Sequence, residues 1–188
     1  DDVVEVSNLH RQLAYRETDL GKPKSEALAC QLRALNRDVA VTAERYRFGT
    51  DSERDEASLT GVDLVLDATD NLETRHHIEV ITRALGLPWI MGAATRLHGQ
   101  VAAFSRSRKE GCYQCIAPAT DAQRIADCRN EGVLGPVIGV IAAWQAQDAL
   151  LWLAGKVAPA WGVLRVYDAQ EQRIDKLAIG VAEGCAHL

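Results

Sequence analysis

Two thiols two residues apart, Cys112 and Cys115, with a third far downstream at Cys185, have the spacing with which thiolates close around zinc. A tetrahedral shell needs a fourth donor. A second Cys-x-x-Cys would place it at position 188, which is Leu188, so the adjacent His187 is the substitute ligand. The competing reading is three buried or free thiols. Cys128, within Asp127-Cys128-Arg129-Asn130-Glu131-Gly132, is a candidate nucleophile because Arg129 favours its thiolate; Asp127 and Glu131 oppose that, and an ordinary loop cysteine is the alternative. Cys30 falls within a helical pattern and is read as a packing residue.

A second chemistry concerns phosphate. Ser7-Asn8-Leu9-His10-Arg11-Gln12 is followed by Gly21-Lys22-Pro23-Lys24. Arg11 offers a planar fork for phosphate oxygens and Lys24 a point charge. A cation in the first turn of a helix opposes the helix dipole unless an anion shares that end, which points to a phosphate beside Lys24; plain surface charges are the alternative. Asp67-Ala68-Thr69-Asp70-Asn71 closes an apolar run, where a carboxylate suits Mg²⁺. Asp70 or Asn71 capping the helix that follows is the competing role, and both can hold across the two residues. His76-His77 shows no partner, no Ser/His/Asp set is visible, and neither G-x-G-x-x-G nor a P-loop motif occurs in these residues.

The elements that must position these groups are legible from periodicity. Residues 22–36 read as a helix with Pro23 in its first turn and Leu28, Leu32 and Leu35 at i, i+4 and i+7. Residues 39–45 alternate like a short strand, and Leu64-Val65-Leu66 reads as a buried one. A helix over 72–85 follows, with Ile78, Ile81 and Leu85 on one face and Gly86 as its stop. Strands are expected over 88–93 and 100–105, a long loop over 110–135, an apolar helix over 136–153, and a terminal hairpin over 163–169 and 172–179. Alternating helices and strands imply an α/β, Rossmann-like fold: a mixed, largely parallel sheet flanked by helices, with a C-terminal antiparallel hairpin and a long crossover loop.

The 188 residues, 47% hydrophobic and 25% charged, suit one core, and residues 1–188 are read as a single domain. A net charge of −5 argues against nucleic acid as the main partner. Gln145, Gln147 and Asp148 interrupt the most apolar run, so no membrane span of roughly 18 residues is expected. Five cysteines, odd in number, suit a reducing, cytoplasmic setting. The opening Asp1-Asp2-Val3 reads as the interior of a folded unit, hence as a fragment.

Ser7 to Gln12, Gly21 to Lys24, Asp67 to Asn71, Gly111-Cys112-Tyr113-Gln114-Cys115 and Gly132 to Gly139 together resemble the ThiF/MoeB/HesA family, relatives of the ubiquitin-activating enzymes, across nearly the whole chain. That resemblance implies an ATP-dependent adenylyltransferase acting on the terminal glycine carboxylate of a small ubiquitin-like sulfur carrier ending in Gly-Gly. Asn8, Arg11, Lys24, Asp70 and Asn71 would meet ATP, and Asp70 would bind Mg²⁺. Cys112, Cys115 and Cys185, with His187, would hold Zn²⁺, and Cys128 would carry a covalent sulfur step. It also implies a homodimer, a sulfurtransferase as second partner, and a glycine-rich nucleotide loop upstream of Asp1, without which ATP would bind poorly. The thiamine branch is favoured over the molybdopterin branch. A non-catalytic relative that only docks a carrier is the reading from another class. A nicotinamide oxidoreductase leaves Arg11, Lys24 and the thiols unexplained.

Overall fold

The computed structural model describes residues 1–117 and 132–185, which fall in two compact units, residues 1–50 and the chain from Asp51 onward. In the first unit, residues 2–4 run antiparallel to residues 21–24 around a Val3–Pro23 bridge. Val4 N–H donates to Lys22 O, Gly21 N–H to Val4 O and Lys24 N–H to Asp2 O, each at 2.9 Å. Two short 3₁₀ turns, Val6–Asn8 and Glu17–Asp19, shape the intervening segment. Helix α1 (Lys24–Leu35) starts directly after Pro23, whose fixed φ and missing N–H suit a helix start.

Two expectations for this unit are corrected. The leucines of α1, at the spacing the sequence shows, are 36% (Leu28), 41% (Leu32) and 84% (Leu35) exposed, while Ala27 and Ala29 are buried. Cys30 is likewise exposed rather than packed. Periodicity identifies an apolar face but not what covers it. Residues 39–45 alternate correctly yet form no strand among the described residues, because alternation supplies no ladder partner for the backbone.

The second unit opens with helix α2 (Ser52–Leu59), capped by the Asp51 carboxylate accepting Arg54 N–H at 3.1 Å. Strand β1 (Val65–Asp67) leads into α3 (Leu72–Ala84), which Gly86 ends at φ +63°. Then come β2 (Trp89–Thr95), β3 (His98–Phe104), the one-turn α4 (Tyr113–Ile116), α5 (Gly135–Leu153), β4 (Val163–Asp168) and β5 (Arg173–Ala178). The strands form one mixed sheet in the order β1-β2-β3-β4-β5. The α/β class, the mixed sheet and the terminal hairpin stand as expected. The balance of pairings differs: β1 and β2 are parallel, and the three other pairs are antiparallel. The tight turn through Arg96 makes β2 and β3 a hairpin, which helix–strand alternation does not register.

Helix α5 buries Val137, Ile141, Gln145 and Ala149, one stripe at four-residue spacing, against Ile90, Val101 and Ala103 of the sheet. Gly99 and Gly92 permit the approach. A Cβ at Gly99 would lie 2.4 Å from Ile141 Cγ1, and one at Gly92 would lie 2.1 Å from Gln145 Oε1. Over its 19 residues α5 is also long and apolar enough to cross a membrane by length and composition; its three interrupting polar residues do not lower that hydropathy as far as expected.

Gln145 does more than fill space. Its amide donates to Asp67 O (2.8 Å) and Ile90 O (3.1 Å), so a helix side chain fastens the carboxyl end of β1 to the first residues of β2. Gln145→Leu keeps the volume but strands both carbonyls, and it should destabilise the protein by about 1–3 kcal/mol, read as a lower urea midpoint at unchanged m-value.

Candidate functional site: a thiol knuckle and the carboxyl end of β1

The sequence-expected thiols converge. Cys112 is buried on the loop leaving β3, Cys115 follows one helical turn later in α4, and Cys185 arrives from beyond β5. Their sulfurs stand 3.7 Å (112–115), 3.5 Å (112–185) and 3.6 Å (115–185) apart. A tetrahedron with metal–sulfur bonds of about 2.3 Å has edges of about 3.8 Å, so the triangle fits three corners of a zinc shell. Among the described residues no fourth His, Cys, Asp or Glu joins this cluster. Burial pushes the Cys112 thiol up. Burial also opposes ionisation of Cys115, but hydrogen bonds, including one from Ala182 N–H at 3.4 Å, hold it below its ordinary value. His187 and Cys128 lie outside the described residues.

Beneath the knuckle lies a charged network that periodicity did not point to. Glu79 of α3 and Arg108 are 0% and 1% exposed. The Glu79 carboxylate accepts Arg108 Nε–H (3.0 Å), Trp89 Nε1–H (3.1 Å) and Tyr113 N–H (3.2 Å). Arg108 spends its other donors on Thr82 Oγ1 (2.8 Å), Leu87 O (3.2 Å) and Ser105 O. Buried charges persist only when paired and hydrogen-bonded, and this pair meets both conditions.

At the carboxyl end of β1, the expected alternatives for Asp67–Asn71 separate by residue. Asn71 is the cap of α3, its Oδ1 accepting Thr74 N–H at 2.8 Å. Asp70, beside it, is exposed. Asp67 is buried; its Oδ1 accepts Thr69 N–H at 2.7 Å, and its Oδ2 lies 3.3 Å from Arg75 Nε in a geometry that misses a hydrogen bond. Burial therefore pushes the Asp67 carboxyl up, with Arg75 offsetting only part of the effect. Arg75 also donates to Thr69 O. His77, expected to lack a partner, has one: Nε2 lies 2.8 Å from Asp55 Oδ2, on the helix α2 that sequence reading missed.

The phosphate candidates lie in the first unit. Asn8 is buried, its Oδ1 accepting Glu5 N–H at 3.2 Å. Arg11 donates to Ser7 O at 2.6 Å and meets His10 Nε2 at 2.8 Å. Lys24 Nζ stands 2.5 Å from Asp2 Oδ2, and that hydrogen bond holds the Asp2 carboxyl below its ordinary value.

The ThiF family model matches residues 1–186. The chain is 36% identical to the sulfur carrier protein ThiS adenylyltransferase of Escherichia coli (strain K12) over 185 residues, which cover 98% of this chain and 72% of that protein. It is 38% identical to the sulfur carrier protein adenylyltransferase of Thermus thermophilus over 183 residues, covering 95% and 67%. It is 33% identical to the molybdopterin-synthase adenylyltransferase of Salmonella typhimurium over 184 residues, covering 98% and 73%. Among solved structures, E. coli MccB with ATP superposes at a TM-score of 0.81 and 21% identity, over 98% of this chain and 56% of that one. At that identity the likeness is one of fold, and the chain spans little more than half of the MccB chain.

Because Glu79 and Arg108 are buried together, removing either alone should cost about 3–5 kcal/mol, whereas Glu79→Leu with Arg108→Met should cost much less than the sum. Urea unfolding of the two single variants and the double variant closes that cycle.

Proposed function

The chain belongs to the ThiF family, and we propose that it catalyses ATP-dependent adenylation of the C-terminal glycine carboxylate of a small ubiquitin-like sulfur carrier, with the thiamine-type carrier as substrate. The observation that carries this reading is 36–38% identity, over 95–98% of the chain, to adenylyltransferases named for sulfur carriers.

Carboxylate is a poor acyl donor. Its oxygen attacks the α-phosphorus of ATP, the bond from that phosphorus to the bridging oxygen breaks, and pyrophosphate leaves with the electron pair. The product is an acyl-adenylate open to attack by sulfur. The protein's task is neutralising and positioning charge. In this reading Arg11 forks onto phosphate oxygens, Asn8 holds the turn beside it, and Lys24 exchanges its Asp2 partner for phosphate. Asp70 would be the hard oxygen ligand for Mg²⁺, which would supply charge neutralisation at the triphosphate, and Asn71 beside it caps α3. Cys112, Cys115 and Cys185 hold structural Zn²⁺, with His187 as fourth donor, and Cys128 is the candidate for a covalent sulfur step. Leu150 and Leu153 of α5, both exposed, support a homodimer, and reduced thiols support a cytoplasmic setting.

A molybdopterin-type carrier is the second reading, favoured by the 33% identity to molybdopterin-synthase adenylyltransferases. Exchange of labelled pyrophosphate into ATP separates the two. The protein should catalyse it with a thiamine-type Gly-Gly-ended carrier and not without carrier; exchange with only the molybdopterin-type carrier selects the second reading, and none with either refutes both. Arg11→Ala and Lys24→Ala should each lower the exchange kcat/KM by roughly 100-fold or more. Zinc analysis should find about one equivalent per chain, lost in Cys185→Ser.

A further inference from the structure

Lys24 is the first residue of α1, where a cation opposes the helix dipole unless an anion shares that end. In this structure the chain itself supplies the anion: Lys24 Nζ stands 2.5 Å from Asp2 Oδ2. The two residues are tied a second time through the backbone, with Lys24 N–H donating to Asp2 O at 2.9 Å. Asp2 Oδ1 accepts Val3 N–H at 2.8 Å, which leaves the other oxygen for the lysine, and Tyr15 O–H donates to Lys24 O at 3.2 Å. The lysine holds the Asp2 carboxyl below its ordinary value, so it is charged at neutral pH. The two side chains differ in exposure, 20% for Lys24 and 63% for Asp2. The ammonium is therefore mostly covered, whereas the carboxylate lies open to water and can turn out into it at little cost.

We propose that the Asp2 carboxylate is a built-in placeholder for phosphate: it occupies the Lys24 ammonium and must turn aside before a phosphate oxygen can take its position. This rests on the reading in which Lys24 meets phosphate, and adds that the chain holds its own affinity for phosphate down. The closed pair lowers apparent affinity by the fraction of molecules in which Lys24 is free. That factor is the same for every ligand that needs the free ammonium. A pair so open on one side is weak, so the factor is several-fold rather than orders of magnitude. The helix start meanwhile keeps an anion beside it whether or not phosphate is there.

The test is Asp2→Asn in the full chain, read by calorimetric titration with tripolyphosphate, which needs no nucleoside contact, and with MgATP. The amide keeps an oxygen for Val3 N–H and removes the charge that holds Lys24. Both titrants should bind roughly fivefold tighter, and by the same factor. Asp2→Ala should reproduce the gain, which separates it from any new contact made by the amide. In a Lys24→Met background, where binding is weaker throughout, Asp2→Asn should change the affinity by about twofold at most. The proposal is overturned if Asp2→Asn leaves tripolyphosphate affinity unchanged, or weakens it, as it would if Asp2 served to aim the ammonium. It is overturned equally if the full gain persists in Lys24→Met, which marks a general effect of charge, or if neither the wild type nor Asp2→Asn binds tripolyphosphate. Pyrophosphate exchange judges the other reading separately. Its absence with every carrier, beside the expected tripolyphosphate result, would strike adenylation and leave the placeholder standing; its presence with no effect of Asp2→Asn on either titrant would strike the placeholder alone.

Discussion

A carboxylate shut off from water lies at the centre of the second unit, and donors from three separate segments converge on it. Arg108 comes from the loop after β3, Trp89 from β2 and the Tyr113 backbone from α4, all meeting Glu79 of α3. Ionised Glu79 is costly to bury, and the cost is offset only while all three donors are in place, so it enforces a single arrangement of helix, sheet and knuckle. Thr82 and the carbonyls of Leu87 and Ser105 complete the arginine's side of the bargain.

From this hub the structure divides its labour. Toward the surface, the triangle of sulfurs is held at edges that suit a zinc shell, over a floor that α3 cannot vacate without stranding a charge. Toward the end of β1, two turns of the same helix carry Arg75 and the Asn71 cap, which shape the turn presenting Asp70. Gln145 closes that region from the opposite face of the sheet by fastening the carbonyls of Asp67 and Ile90. The thiol triangle and the turn after β1 are therefore both braced by residues of one helix, five to nine positions beyond Asp70.

Much of this was legible in the residues themselves. Pro23, Asn71, Gly86 and Pro136 punctuate helices where the structure has helix ends, because caps and breakers act locally. The Cys112–Cys115 spacing likewise identified the knuckle, with distant Cys185 as its third thiol. What escaped was decided at long range. Glu79 and Arg108 are 29 residues apart, and nothing in either residue's neighbours along the chain points to the other, though Glu79 does share a helix face with Arg75 and Thr82, a polar stripe beside Ile78 and Ile81. Residues 39–45 and Cys30 went wrong for the related reason that pattern describes a face and says nothing of its partner. Helix α2 carries too few apolar residues for periodicity to register; its Asp51 cap was the available signal.

The central claim is that the knuckle and the sheet are joined through an ionised Glu79, and the Trp89 indole N–H reports on that carboxylate directly. Its ¹H–¹⁵N resonance, together with that of Arg108 Nε–H, can be followed as Zn²⁺ is added to the thiols and then withdrawn by a chelator. The account requires both signals to shift or broaden in step with metal loss, as Tyr113 N–H withdraws from the shared carboxylate. If both stay in place while the thiols are freed, the knuckle is an independent appendage and the account is contradicted.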